Sequence, residues 1–294
     1  MTTRLPTWLT AACLTFFCLA LSAQPIQVPR YDDADEYLPQ AERRNKSGIR
    51  LFLRQQEGEE LVKVASPRNV TVDVIARMPP DAEMGVVFFL GGTSVLSIVN
   101  ERLDRSFSFQ PRSRDAWWQQ RFATFLVDAP SDRLGKAGIE DTVWRTGTDH
   151  ARDLQAVLDE IARRFKGRLV LHGHSNGAVS ISTAAQLHHP QVRAYMMSGA
   201  AHQQPGGERI QQVEYTAPVL LVQHRNDTCR VSSHAAFEAW QSRIRAPLKK
   251  VLLVEGGIEA MSGPCGPFAA HSFVGQEATT IQDAIGLLKS MIRN

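Results

Sequence analysis

Leu169-Val170-Leu171-His172-Gly173-His174-Ser175-Asn176-Gly177-Ala178-Val179 decides the reading of this chain. An apolar run over 168–172 leads into Gly173-His174-Ser175-Asn176-Gly177, and a helix-compatible stretch follows over 178–187. Strand, G-x-S-x-G and helix in that order describe a nucleophile elbow, a turn so tight that the serine backbone is strained. Gly173 and Gly177 keep side chains from colliding there. The serine hydroxyl is thereby presented at a helix N-terminus, where the backbone dipole favours developing negative charge. An ordinary strand-to-helix turn also uses glycines and a small polar residue, so the surrounding pattern has to decide.

That pattern is a succession of strands apolar on both faces, near 84–90, 122–127, 168–172, 192–197, 219–223 and 250–254. Such runs indicate a parallel sheet covered by helices on both sides. Helical stripes lie between and after them: Leu154, Val157, Leu158, Ile161 and Phe165 share one face, as do Ile281, Ala284, Ile285, Leu288 and Ile292. Two shorter segments, 60–65 and 70–76, alternate like a half-exposed antiparallel hairpin. The fold class implied is α/β, a doubly wound and mostly parallel sheet. The connection over 198–217 is too short for a large lid domain.

Length and composition agree: 294 residues, 43% of them hydrophobic, suit one α/β domain with a substantial core. A net charge of +3 without a dense basic run gives nucleic-acid binding no support. Arg4 followed by an apolar run to Leu21 and the small residues Ser22-Ala23 reads as a secretory signal peptide over 1–23. A polar arm over 24–48 and a domain over 49–294 complete the expected organisation. No later segment is apolar enough to span a bilayer, so the mature protein is expected to be soluble and periplasmic or secreted. Cys13 and Cys18 would leave with the signal, and Cys229 and Cys265 remain as an expected disulfide contributing roughly 3–4 kcal/mol.

A serine hydroxyl needs a base, and the base needs an acid that fixes its tautomer. With Ser175 as nucleophile, the chain order Ser, Asp, His selects Asp227, just past the strand at 219–223, and His271, between the last strand and the final helix. Asn-Asp also closes strands as an Asx-turn, and that alternative stays open for Asp227. The other histidines read as surface or helix-end residues. The Cys229–Cys265 bond would tie the acid loop to the base loop. An oxyanion hole requires N–H donors, here the backbone of Asn176 and of Gly92, with Thr93 as the alternative to Gly92. Asp128, Asp132 and Arg133 stand at another strand end, as pocket lining or as a polar turn.

From about Val70 to Asn294 the chain resembles the α/β-hydrolase superfamily. The residues that carry the likeness are Gly173-His174-Ser175-Asn176-Gly177, Leu90-Gly91-Gly92-Thr93, Asn226-Asp227, His271 with Phe273 and Gly275, and the strand-end loop Val127-Asp128-Ala129-Pro130-Ser131-Asp132. Leu90 replaces the histidine, and Thr93 the third glycine, of the His-Gly-Gly-Gly loop found in one lipase branch. The resemblance implies a serine hydrolase without metal or cofactor, acting on a small-molecule carboxylic ester. Peptidase, thioesterase and lactone or polyester hydrolase activities use the same triad, and a non-catalytic binding protein on this fold is the rival of another class. Oligomeric state is not encoded in any of these patterns.

Overall fold

The computed structural model describes residues 57–103 and 107–292. The expected signal peptide and polar arm lie outside these residues. Ten strands occur in chain order with six helices among the described residues: β1 (Glu60–Ser66), β2 (Val70–Arg77), β3 (Met84–Phe89), β4 (Ile98–Val99), β5 (Arg102–Leu103), α1 (Phe109–Gln119), β6 (Phe122–Pro130), α2 (Thr148–Arg164), β7 (Arg168–His174), α3 (Gly177–Ala185), β8 (Val192–Ser198), α4 (Arg209–Gln212), β9 (Val219–His224), α5 (His234–Gln241), β10 (Lys249–Val254) and α6 (Glu277–Ile292). Eight strands form one sheet in the order β1-β2-β6-β3-β7-β8-β9-β10, and β4 and β5 form a small separate hairpin.

The sheet is parallel from β6 to β10 and antiparallel at β1–β2 and β2–β6. The hairpin expected from the alternation of β1 and β2 therefore extends the main sheet. Fully buried β3, β6 and β9 match their unbroken apolar runs. β10 departs from the expectation of two covered faces: it is an edge strand, and Val251 is 37% exposed.

One core layer packs Val157, Leu158 and Ile161 of α2, Val179 and Ile181 of α3 and Phe237 of α5 against the sheet. The opposite layer is built from Phe109 and Trp117 of α1 and Ile281, Ala284, Ile285 and Leu288 of α6. No apolar stripe announces α1, because polar residues are buried there beside Phe109, Ala116 and Trp117. Gln110, Arg112, Ser113 and Arg114 are all buried there. Arg112 is paired with Glu277 at 2.7 Å and Arg114 with Glu59 at 2.6 Å. Among the described residues no helix is long and apolar enough to cross a membrane.

Register places the loops that matter on one edge. Phe89 stands opposite both Val127 and Gly173, His174 opposite Ser198, Ser198 opposite Val222, and His224 opposite Val254. The chain therefore leaves the sheet at Leu90, Ser175, Gly199 and Arg225 along a common rim. Cys229, in the loop that leaves at Arg225, is bonded to Cys265 in the loop after β10, with Cα atoms 4.6 Å apart and a sequence separation of 36.

Two outcomes follow from this packing. A Cβ at Gly177 would fall on the Phe89 carbonyl, so Gly177→Ala should lower unfolding free energy by about 1–3 kcal/mol in urea titrations. Replacing Cys229 and Cys265 together by alanine should lower it by roughly 2–4 kcal/mol, read in the same way.

Candidate active site

Ser175 sits between β7 and α3 with φ 51°, a left-handed conformation rare for a side chain with a Cβ. The surrounding backbone over-determines it: the Ser175 N–H donates to Ser198 O at 2.9 Å, and its carbonyl accepts from Ala178 N at 3.0 Å and Ala201 N at 3.2 Å. Gly173 has no room for a Cβ because the Gly177 backbone and Ile181 occupy the space. Gly91 is equally constrained, since a Cβ there would lie 2.9 Å from Ser175 Cβ and 3.0 Å from His174 O.

Asp227 lies in the turn after β9, with its side chain fully shielded from solvent. Its Oδ1 accepts the Cys229 N–H at 2.8 Å, which is an Asx-turn. Its Oδ2 accepts from Gln223 Nε2 at 3.1 Å, Ser232 Oγ at 2.9 Å and His271 Nδ1 at 3.0 Å. The two readings of Asp227 thus coexist, one on each carboxylate oxygen. His271 occupies a single 3₁₀ turn, Ala270–Ser272, and is 2% exposed. Its Nδ1 also meets Ser232 Oγ at 2.9 Å. With Ser232 donating to Asp227, this pattern makes Nδ1 the protonated ring nitrogen and leaves Nε2 as the acceptor. Gly199 (φ +48°) admits the ring, because a Cβ there would stand 3.1 Å from it.

Ser175 and His271 line the same cleft, of about 340 Å³, together with Gly91, Gly92, Thr93 and Phe109. No hydrogen bond joins the Ser175 hydroxyl to His271 among the described contacts; such bonds often tighten only with substrate present. Closeness comes through His174, whose ring centroid lies 4.9 Å from that of His271. The N–H groups of Gly92, Thr93 and Asn176 have no acceptor among the described residues. Nothing of the protein crowds a Cβ at Gly92, so its requirement for glycine is φ +54°. The Asn176 side chain braces the same loop, donating from Nδ2 to Gly92 O and to Glu140 O, both at 3.3 Å.

Five other histidines are buried rather than on the surface: His150, His172, His174, His189 and His224, of which His150 does occupy a helix end, in the first turn of α2. His172 and His174 converge on Ser198 Oγ at 2.9 and 3.1 Å, behind the cleft. Burial pushes His172 down to about 3, and holds His174 well below the usual imidazole range with His271 and His172 adding to the effect. Asp132 and Arg133 stand away from the cleft: Asp132 pairs with Arg68 at 3.1 Å, and Arg133 lies over Trp144. Asp128 holds the loop after β3 through Leu96 N at 2.7 Å, and burial raises its carboxyl to about 7.

Sequence reasoning did not find Ser232 or Gln223. Each is a single polar residue without a motif, brought to Asp227 only because the chain folds back between β9 and α5. Asp227, Cys229 and His271 also converge as a metal-ligand set would. The Cys229 sulfur is bonded to Cys265, and Asp227 and His271 hold each other, so this donor set does not fit a metal ion.

No protein-family model and no curated protein matches the sequence. Solved structures do match in shape. A dienelactone hydrolase from Anabaena variabilis superposes with a TM-score of 0.54 at 16% identity, over 82% of this chain and 99% of that one. A cold-adapted esterase from an Arctic intertidal metagenomic library gives 0.55 at 14% identity, over 81% and 96%. XC6422 from Xanthomonas campestris, described as an α/β serine hydrolase without lid, gives 0.52 at 16% identity, over 81% and 95%. The strand order, the flanking helices and these likenesses together establish that the chain has the α/β-hydrolase fold.

Proposed function

We propose that this chain is a serine hydrolase of small carboxylic esters, exported to the periplasm or beyond the cell. The observation that carries the reading is the shielded Asp227–His271 hydrogen bond at 3.0 Å beside a cleft that Ser175 also lines. In the proposed reaction His271 Nε2 takes the Ser175 proton as Oγ attacks the acyl carbon. Asp227 stabilises the imidazolium that results. The N–H groups of Asn176 and of Gly92 or Thr93 hold the oxyanion. The imidazolium then protonates the departing alcohol. Water, deprotonated by His271, cleaves the acyl-enzyme to the carboxylic acid and restores Ser175.

The substrate class is argued from the cleft. Among the described residues no Asp, Glu, Lys or Arg lines it, which favours an uncharged acyl group. The names of the matched structures include an esterase and a dienelactone hydrolase, consistent with acyclic or cyclic ester bonds. Export is supported by the N-terminal apolar run and by a disulfide, a bond that persists in oxidising compartments.

Ser175→Ala should reduce turnover of a short p-nitrophenyl ester by roughly 10⁴-fold or more while leaving thermal unfolding near wild type. Retained activity would refute Ser175 as the nucleophile, and no labelling of wild-type Ser175 by a fluorophosphonate would count for a binding role instead. Ser232→Ala should lower kcat roughly 5–10-fold with KM little changed, the loss of one hydrogen bond that aligns the imidazole, read by steady-state kinetics.

A further inference from the structure

Arg145 is a charged side chain sealed completely inside the protein. It lies in the short 3₁₀ turn Trp144–Thr146 ahead of α2. Its five N–H groups meet five oxygens: Nε donates to Ile139 O at 2.8 Å, Nη1 to Leu90 O at 3.3 Å and Ser180 Oγ at 2.9 Å, and Nη2 to Gly92 O and Ser94 Oγ, both at 2.9 Å. None of these partners is a carboxylate. Glu140 acts on the guanidinium only through space, and burial lowers the Arg145 pKa to about 9, which leaves it charged at neutral pH. A desolvated cation held only by neutral oxygens is costly to keep in a fold.

Most of this grip falls on one element, the loop after β3. Leu90 O, Gly92 O and Ser94 Oγ belong to it directly. Ile139, the fourth partner, is bonded to it through Ile139 N and Thr93 O at 2.9 Å. The described peptides are all trans, so a carbonyl and the N–H of the next residue point in opposite directions. Gly92 O faces Arg145 and the Asn176 amide. The Thr93 N–H of the same peptide therefore points away from the buried side, toward the cleft that Gly92 and Thr93 line. A cation on the carbonyl oxygen also draws electron density along the amide and strengthens its N–H as a donor.

We propose that Arg145 is the positioning residue of the oxyanion hole, fixing and polarising the Gly92–Thr93 peptide so that the Thr93 N–H becomes the second donor beside Asn176. The assignment rests on the hydrolase reading above. It also gives the buried charge a use: negative charge developing on the substrate oxygen is met, through one peptide, by a positive charge in a region of low dielectric. A purely structural role would need no cation, since the Asn176 amide already shows that a neutral donor can serve Gly92 O.

The test uses the mature, oxidised protein and Arg145→Lys, checked for folding by circular dichroism. Four quantities are measured: kcat, fluorophosphonate labelling of Ser175, the Ki of an alkylboronic acid that mimics the tetrahedral adduct, and the Ki of the matching N-methyl amide as a ground-state mimic. The expected result is a fall in kcat of roughly tenfold or more, a parallel weakening of the boronate, and amide binding within about twofold of wild type. A folded Arg145→Lys protein with wild-type kcat and boronate affinity overturns the proposal, as does equal weakening of boronate and amide. Should Arg145→Lys not fold, Thr93 is replaced by its α-hydroxy acid, which exchanges that single N–H for an ester oxygen; unchanged kcat then overturns the proposal and a loss of similar size supports it. A wild-type protein that neither hydrolyses esters nor labels at Ser175 sinks the hydrolase reading, and the Arg145 assignment with it. An active, labelled wild type with an indifferent variant sinks the Arg145 assignment alone.

Discussion

Close backbone contact at one turn constrains the centre of this structure. Ser175 is held at φ 51° between a strand and a helix that have no space for a Cβ at Gly173 or Gly177, and the loop after β3 presses on it so closely that Gly91 has none either. Three chain segments thus approach at backbone distance. The strain at the serine persists because each neighbour blocks a different escape: Ser198 and Ala201 hold its peptide groups, Phe89 stops the helix from shifting, and Gly91 closes the third side. Side chains at these glycines would push apart the loops that the parallel register brings to a common rim.

Around this turn the rim is held by buried polar contacts more than by apolar packing. Asp227 is ringed by the Cys229 N–H, Gln223, Ser232 and His271, and the Cys229–Cys265 bond closes the chain just behind it. His172 and His174 share Ser198 Oγ, and Arg145 and Asp128 anchor the loop after β3. Each buried donor or acceptor left unmatched would carry a desolvation cost, so such networks tend to specify one arrangement of the loops. The apolar layers on the two faces of the sheet set where the rim is; these contacts set its shape.

The same distinction explains what could be read in advance. Strands β3, β6, β7, β8 and β9 were legible because burial on both faces demands unbroken apolar runs, α2 and α6 because an apolar face recurs with the helical period, and α3 as the helix-compatible stretch that follows Ser175. Ser175 with its flanking glycines was legible because a strained turn restricts residue type locally. Asp227 and His271 could be selected by chain order and by position after strands. Helix α1 escaped because ion pairs with Glu59 and Glu277 let arginines take inward positions. His150, His172 and His174 escaped for a related reason: their partners are the hydroxyls of Ser180 and Ser198, far away in sequence, and an isolated serine carries no signal.

Local restrictions on residue type and periodicity, then, were enough to determine from the sequence the α/β class, the tight turn at Ser175 and the paired cysteines, and chain order to single out Asp227 and His271 as candidate acid and base. Only the tertiary structure decided that Ser232 bridges Asp227 and His271, that Gly92 is required for its backbone angle and Gly91 for its lack of a side chain, and that the charge of Arg145 lies beneath the loop after β3. The contacts of Ser232 with His271 and of Arg145 with Gly92 join residues 39 and 53 apart in the chain, and no pattern along a sequence encodes the direction in which a buried hydrogen bond will point.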